Sequence, residues 1–218
     1  MKIKKIGFAR LTISSFILSF LLCGCFSAVK DGQSAAPSRS YAVLSASEAG
    51  AVTYVFKLSL HAKKQYSSLL FTCARRPDGG AQIKVMGGFI TKFLLASYKD
   101  DDFKYDFIMK GFMDARSQET FEDILRVLLG APSRFINATV NTAGEEVISF
   151  RQGKYLNKYY FKRGKSYPYK MEQVRTIVKK AFIFEDYEVF DGRLLPKKIT
   201  VRDGYNIVSA ELELLSVK

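Results

Sequence analysis

From Val52 onward the chain is mostly an alternation of apolar and polar positions. Val52, Tyr54, Phe56, Leu58 and Leu60 alternate with Thr53, Val55, Lys57, Ser59 and His61, the period-two pattern of a half-buried strand. Residues 65–75 predict a second strand, closed by the turn PDGG at residues 77–80. Residues 82–86 are short and apolar, and Gly87 and Gly88 break the run. Residues 89–98 are apolar on both faces. After an acidic turn at residues 99–102, Phe103, Tyr105, Phe107 and Met109 alternate with Lys104, Asp106, Ile108 and Lys110. Segments recurring about every ten residues have the rhythm of an antiparallel meander.

One segment breaks the period. Phe121, Ile124, Leu125, Leu128 and Leu129 fall at helical spacing and give one wide apolar face. Thr120 can cap this helix, with Asp123 three residues on in the place of the capping-box acid. Gly130 and Pro132 end it. Strand patterns resume at residues 146–151, 155–162, 171–178, 182–190, 195–202 and 205–217. Asp191-Gly192 and Asp203-Gly204 are hairpin signals. The expectation is a mainly β (α+β) fold of nine or ten strands and one helix. A long twisted antiparallel sheet does not stay flat. The expected architecture is therefore a strongly curved sheet or incomplete barrel, with one or more helices packed on its concave side.

The first 25 residues follow a different rule. Lys2, Lys4, Lys5 and Arg10 make a basic start without an acid, and Leu11 to Leu22 make a short apolar run. That run is too short to span a bilayer, which takes about 20 apolar residues. It fits the apolar stretch of a secretory signal. The ending LCGC at residues 22–25 resembles a bacterial lipobox, which implies cleavage after Gly24 and acylation of Cys25. Phe26 follows Cys25, not the Asp that retains many enterobacterial lipoproteins in the inner membrane. The expected location is exported and lipid-anchored, facing the periplasm, at the outer membrane in preference to the inner. The expected organisation is a signal peptide at 1–24, a lipidated N-terminus and flexible tether at 25–50, and a folded domain at 51–218. Residues 31–40 (DGQSAAPSRS) are small, polar and aperiodic, as a tether requires.

Charge narrows the partners. The whole chain carries a formal +13, and the signal accounts for only four of its cations. A basic exported protein meets phospholipid headgroups, acidic glycolipids or acidic proteins rather than nucleic acid. From Lys154 to Lys180 there are nine basic residues and a single acid, Glu172, with Tyr155, Tyr159, Tyr160, Tyr167 and Tyr169 interleaved. Lysine with tyrosine suits an anionic headgroup at a membrane interface. It equally suits a solvated edge whose lysines discourage strand addition. Lys158, Lys162, Arg163 and Lys165 are the candidate headgroup contacts.

Catalytic chemistry is absent from the pattern. His61 is the one histidine. There is no nucleophile elbow, paired histidine or Cys-x-x-Cys. Asp100, Asp101 and Asp102 lack the spacing of a calcium loop. Cys73, the one cysteine beyond the lipobox, reads as a buried small apolar residue. No catalytic residue, metal or cofactor is expected.

Three segments resemble the LolA/LolB superfamily of bacterial lipoprotein carriers and outer-membrane lipoprotein receptors. Residues 123–132 (DILRVLLGAP) are similar to that family's helix and its exit. Residues 184–199 (FEDYEVFDGRLLPKKI) are similar to its aromatic strand, Gly turn and Leu-Pro-basic strand. Residues 84–88 (KVMGG) stand where the receptors carry an apolar residue before Gly in a projecting loop. Val85 replaces the usual proline there, and the receptor's tryptophans are missing, since the chain contains none. The resemblance implies a half-barrel whose apolar cavity takes acyl chains. Met86, Phe89, Phe93, Phe107, Leu125 and Leu128 are the expected cavity or membrane contacts. The implied partners are membrane lipid, acyl chains of other lipoproteins and a periplasmic carrier. The implied function is transfer or insertion of lipids or lipoproteins without catalysis. The alternative is a structural or interaction lipoprotein with a filled core and a docking surface. The pattern leaves the oligomeric state open.

Overall fold

The alternating segments pair into one antiparallel sheet of 12 strands. The computed structural model describes residues 43–44, 51–61, 65–88, 91–130, 134–176, 178–204 and 208–218. Its first strands are β1 (Val52–His61), β2 (Gln65–Arg75), β3 (Ala81–Met86), β4 (Lys92–Lys99) and β5 (Asp102–Ile108). Helix α1 (Ala115–Leu129) follows. The chain continues through β6 (Arg134–Val140), β7 (Glu146–Gln152), β8 (Tyr155–Phe161), β9 (Lys170–Arg175), β10 (Val178–Phe190), β11 (Arg193–Arg202) and β12 (Val208–Val217).

The strand order is β5-β4-β3-β2-β1-β12-β11-β10-β9-β8-β7-β6. Two meanders are thus joined at the centre, where β1 pairs with β12 in a register that sets Tyr54 opposite Val217. Strands β5 and β6 are the two edges, so the sheet is not closed. Asp191 and Gly192 both take positive φ, 48° and 73°, as a two-residue hairpin between right-twisted strands needs.

The core follows the period-two faces. Tyr54, Phe56 and Leu58 of β1, Phe71 and Cys73 of β2, and Ile83 and Val85 of β3 are buried. They form one cluster with the buried residues of the later strands and of α1.

The structure departs from the sequence expectations in several places. Strand β6 has no counterpart among the expected strands: all but Phe135 of its residues are exposed, so no alternation marks it. Helix α1 begins before Thr120. Asp114 is its N-cap, and its carboxylate accepts a hydrogen bond from the Ser117 N–H at 2.8 Å. Asp123 therefore sits mid-helix and is no capping-box acid. Leu44, within the stretch expected to be tether, is buried, and its N–H donates to the Leu128 carbonyl at 2.9 Å. That bond satisfies one of the carbonyls a helix end leaves unpaired. Gly130 closes the helix for a steric reason. A Cβ there would run into the Arg126 carbonyl and the Gln152 side chain.

Candidate functional site

The candidate site is the seam between α1 and the sheet. Phe121, Ile124, Leu125 and Leu128 recur at helical spacing, and all are buried. The Phe121 ring meets Phe71 of β2 edge-on at 6.1 Å, and Phe71 in turn lies 5.6 Å from Phe56 of β1. Four side chains of this size are each worth about 1.5–3 kcal/mol of burial.

Polar contacts fix the flanks of the same helix. Tyr105 of β5 donates to Glu122 at 2.9 Å. Tyr155 of β8 donates to Asp123 at 3.0 Å, and Lys180 of β10 pairs with the other oxygen of that carboxylate. Arg175 of β9 pairs with Glu119 at 2.9 Å. Arg126 pairs with Glu122 and Asp123, both at 3.4 Å, and its guanidinium lies over the rings of Phe103 (4.9 Å) and Tyr155 (5.8 Å). Burial, followed by the hydrogen bond to Glu122, pushes the Tyr105 phenol well above its ordinary range. Burial and the neighbouring Asp123 carboxylate raise the Tyr155 phenol as well.

These contacts define the curvature. Strands β5 and β8 stand nine places apart in the sheet order. At about 4.8 Å per strand, a flat sheet would separate them by about 43 Å. Arg126 touches both. A second link has the same meaning: Gln152 of β7 donates to Asp101 in the β4–β5 turn at 3.1 Å, and Tyr98 donates to the same oxygen at 2.8 Å. The sheet bends until strands far apart in its order reach one helix.

The expected site residues divide into groups. Leu125 and Leu128 lie under the helix, fully buried. Met86, Phe93 and Phe107 lie on the adjacent strands β3, β4 and β5. Met86 and Phe93 are half-buried, and Phe93 packs on Phe112 with ring centroids 4.8 Å apart. Its ring also occupies the space a Cβ would need at Gly87. Phe107 is 43% exposed, with the Lys92 ammonium 5.8 Å above its ring. Cys25 and Phe89 lie outside the described residues.

The basic segment also divides. Lys162, Arg163 and Lys165 are exposed in the β8–β9 connection. Lys158 is elsewhere, opposite Glu172 in the β8–β9 ladder. Glu172 receives Lys170 at 2.7 Å, Lys179 at 2.9 Å and the Tyr160 hydroxyl at 2.8 Å. Burial pushes its carboxyl up, but the three donors outweigh that and hold it at about 2. With Arg175 on Glu119 and Lys180 on Asp123, four of the nine basic residues are spent on ion pairs within the protein.

Sequence reasoning missed Asp123, Arg126, Tyr155 and Lys180 as a unit. The one available signal is an acid next to the apolar helix positions, at Asp123 between Phe121 and Ile124. Cys73 is fully buried, and desolvation pushes its thiol to about 12. Among the described residues no three His, Cys, Asp or Glu side chains are arranged to hold a metal ion, and no helix is long and apolar enough to cross a membrane.

No protein-family model matches the chain, and no curated protein sequence does. Solved structures do. A LolA superfamily protein from Nitrosomonas europaea superimposes with a TM-score of 0.55 at 12% identity, over 78% of this chain and 84% of that one. An outer membrane lipoprotein-sorting protein domain from Vibrio parahaemolyticus gives 0.47 at 11% identity, over 78% and 85%. A DUF1329 family protein from Desulfovibrio piger gives 0.42 at 8% identity, over 78% and 85%. The first likeness is one of fold, and the other two fall too low to add to it.

Proposed function

We propose that the chain is a membrane-anchored bacterial lipoprotein that binds acyl chains between α1 and the concave side of its sheet. It would help transfer or insert lipids or lipoproteins into the outer membrane, without catalysis. The observation that carries this reading is the helix–sheet seam. One apolar helix face is held inside an open, bent sheet, and polar contacts that can break and re-form hold its flanks. The LolA-like fold and the lipobox-like residues before Cys25 support it.

On this reading Cys25 carries the anchor. Leu125 and Leu128 cover the acyl site. Met86, Phe89, Phe93 and Phe107, on and beside the β3–β5 strands, meet acyl chains or membrane. A periplasmic carrier delivers the cargo. The seam is packed, so an acyl chain must displace the helix face. Four large apolar side chains are together worth about 6–12 kcal/mol. An acyl chain of about 16 carbons offers about 0.8 kcal/mol per methylene, on the order of 12 kcal/mol. The exchange is near balance, as reversible loading requires.

The test is native mass spectrometry of the purified protein after detergent removal, together with uptake of a fluorescent fatty acid. A co-purified lipid and saturable uptake are expected. A lipid-free protein that takes up nothing would sink the proposal. The continuous core, from Leu44 to Leu214, then favours the second reading, a structural or interaction lipoprotein with a filled interior.

A further inference from the structure

Exposed apolar side chains gather at one end of the strand ladder. Val140 is 71% exposed, Val189 69% and Leu194 46%. Strand β6 ends at Val140, β8 ends at Phe161, and β10 ends at Phe190; β7, β9 and β11 begin beside them. Antiparallel pairing puts all six termini on the same side. Val189 and Leu194 are cross-strand partners of the β10–β11 hairpin, and Val140 precedes the β6–β7 turn. In strand order the β8–β9 connection lies between these two hairpins.

That connection carries Lys162, Arg163 and Lys165. The Lys165 N–H donates to the Lys162 carbonyl at 3.0 Å, and Gly164 takes φ 74°, so the three cations share one tight turn. The loop behind the turn is fastened. Tyr167 stacks on Tyr187 at 4.1 Å, Tyr187 donates to the Pro168 carbonyl at 2.6 Å, and Tyr169 donates to Glu145 at 2.7 Å. An open pocket of about 800 Å³ runs between Ala138, Thr139 and Val140 on one side and Lys162, Arg163 and Gly164 on the other. Glu145 and Glu146 also line it. The hydrogen bonds from Tyr169 and Asn141 hold the Glu145 carboxyl below its usual range and occupy it.

We propose that this end of the sheet is a docking face for a bilayer surface containing anionic phospholipid. The basic turn meets the headgroups, and the flanking Val140, Val189 and Leu194 enter the interface, with Tyr167 and Tyr169 at headgroup level. A strand-adding partner at the β6 edge would use Val140 but would leave the basic turn and the β10–β11 hairpin without a role. Strand β1 also starts at this end, since Tyr54 pairs with Val217. The face shares a membrane location with the function proposed above but does not depend on the acyl site, because β3 ends at Met86 on the opposite side of the ladder.

Hydrogen-exchange mass spectrometry on the purified full-length protein tests the face without reference to cargo. The probes are phosphatidylcholine vesicles with and without phosphatidylglycerol. Slower exchange is expected at residues 138–146, 161–170 and 188–195 on the anionic vesicles, and it should vanish near 1 M salt, where the screening length falls to about 3 Å. Each basic residue near an anionic surface is worth about a fivefold factor, so neutralising all three in K162Q/R163Q/K165Q should weaken the effect about a hundredfold. Val140→Ser should weaken it less, and exchange in β1 and β2 should stay unchanged in both variants. Protection independent of phosphatidylglycerol, protection of β6 alone by a protein partner or a second copy, or no protection would each overturn the proposal. Loss of lipid cargo with protection intact would count against the acyl site and leave the docking face standing.

Discussion

Replacing Asp123 by Ala tests whether the polar flank of α1 holds the helix in the sheet. Asp123 is 3% exposed and ties three groups: Tyr155 at 3.0 Å, Arg126 at 3.4 Å, and Lys180. Their fates differ. Arg126 keeps Glu122 and lies over two aromatic rings, so it loses little. Tyr155 keeps its ring contacts but loses its hydrogen bond to the Asp123 carboxylate. The Lys180 side chain, 12% exposed, is left as a nearly buried cation that has lost its Asp123 carboxylate. Breaking one partner from a buried pair costs about 3–5 kcal/mol. In a domain of this size each kcal/mol lowers Tm by about 2–4 °C, so a fall of about 6–20 °C is expected. Lys180→Met alone leaves a buried carboxylate still solvated by Tyr155 and Arg126 and should cost less. The double variant should recover part of the loss, with a coupling of about 1–3 kcal/mol in a double-mutant cycle. Thermal and urea unfolding followed by circular dichroism measure all four proteins. A single-variant loss under about 1 kcal/mol, or strict additivity, would show that the pair does not hold the helix.

Other outcomes follow from the same geometry. Leu128→Ala in a closed core should cost about 2–5 kcal/mol in urea unfolding; a much smaller loss with faster fatty-acid uptake would mark the helix as a mobile cover. Glu172 titrates at about 2 in the folded protein against 4.5 for an unperturbed glutamate. The unfolded state therefore binds the extra proton first, and stability should fall as pH drops from about 4.5 to about 2. Glu172→Gln should flatten that part of the stability–pH curve, and an unchanged curve would remove Glu172 as its source. Cys73 should resist thiol reagents in the native state and react on denaturation, so fast native labelling would contradict its burial. Cys25→Ala should abolish incorporation of a labelled fatty acid, and label persisting in the variant would remove Cys25 as the anchor.

What the sequence made legible is what local periodicity controls. Strands β1 and β2 match their alternating segments end to end, because one face of each meets the core and the other meets solvent. The apolar face of α1 was equally plain. Its first turn was not, since residues 115–120 carry no apolar repeat and the cap, Asp114, lies outside the pattern. Strand β6 was invisible because burial, the cause of alternation, is missing from an exposed edge. The seam was invisible for another reason. Asp123 finds Tyr155 and Lys180 at separations of 32 and 57 residues, and no window along the chain contains that pairing. Leu44 is a similar case: it ends an apolar run of four residues, too short to show a period, and its partner carbonyl lies on a distant helix. The nine-cation segment looked like one feature, and only the folded packing of strand on strand and helix on sheet shows that Glu172, Glu119 and Asp123 draw four of those cations away from the three in the turn.

The pairing of β1 with β12 carries a consequence for how the protein is made. The first and last strands are neighbours at the centre of the sheet, so each half of the ladder ends in an open edge until the C-terminal strand arrives. A chain emerging N-terminus first can form the β1–β5 meander early, but the joint waits for residues 208–217. Pairings this distant in sequence carry the largest loop-closure entropy and form slowly. Until then β1 and β11 present unpaired backbone, the kind of edge that recruits foreign strands. Premature termination before Val208 should therefore yield two sticky half-sheets, with aggregation in place of a smaller folded protein.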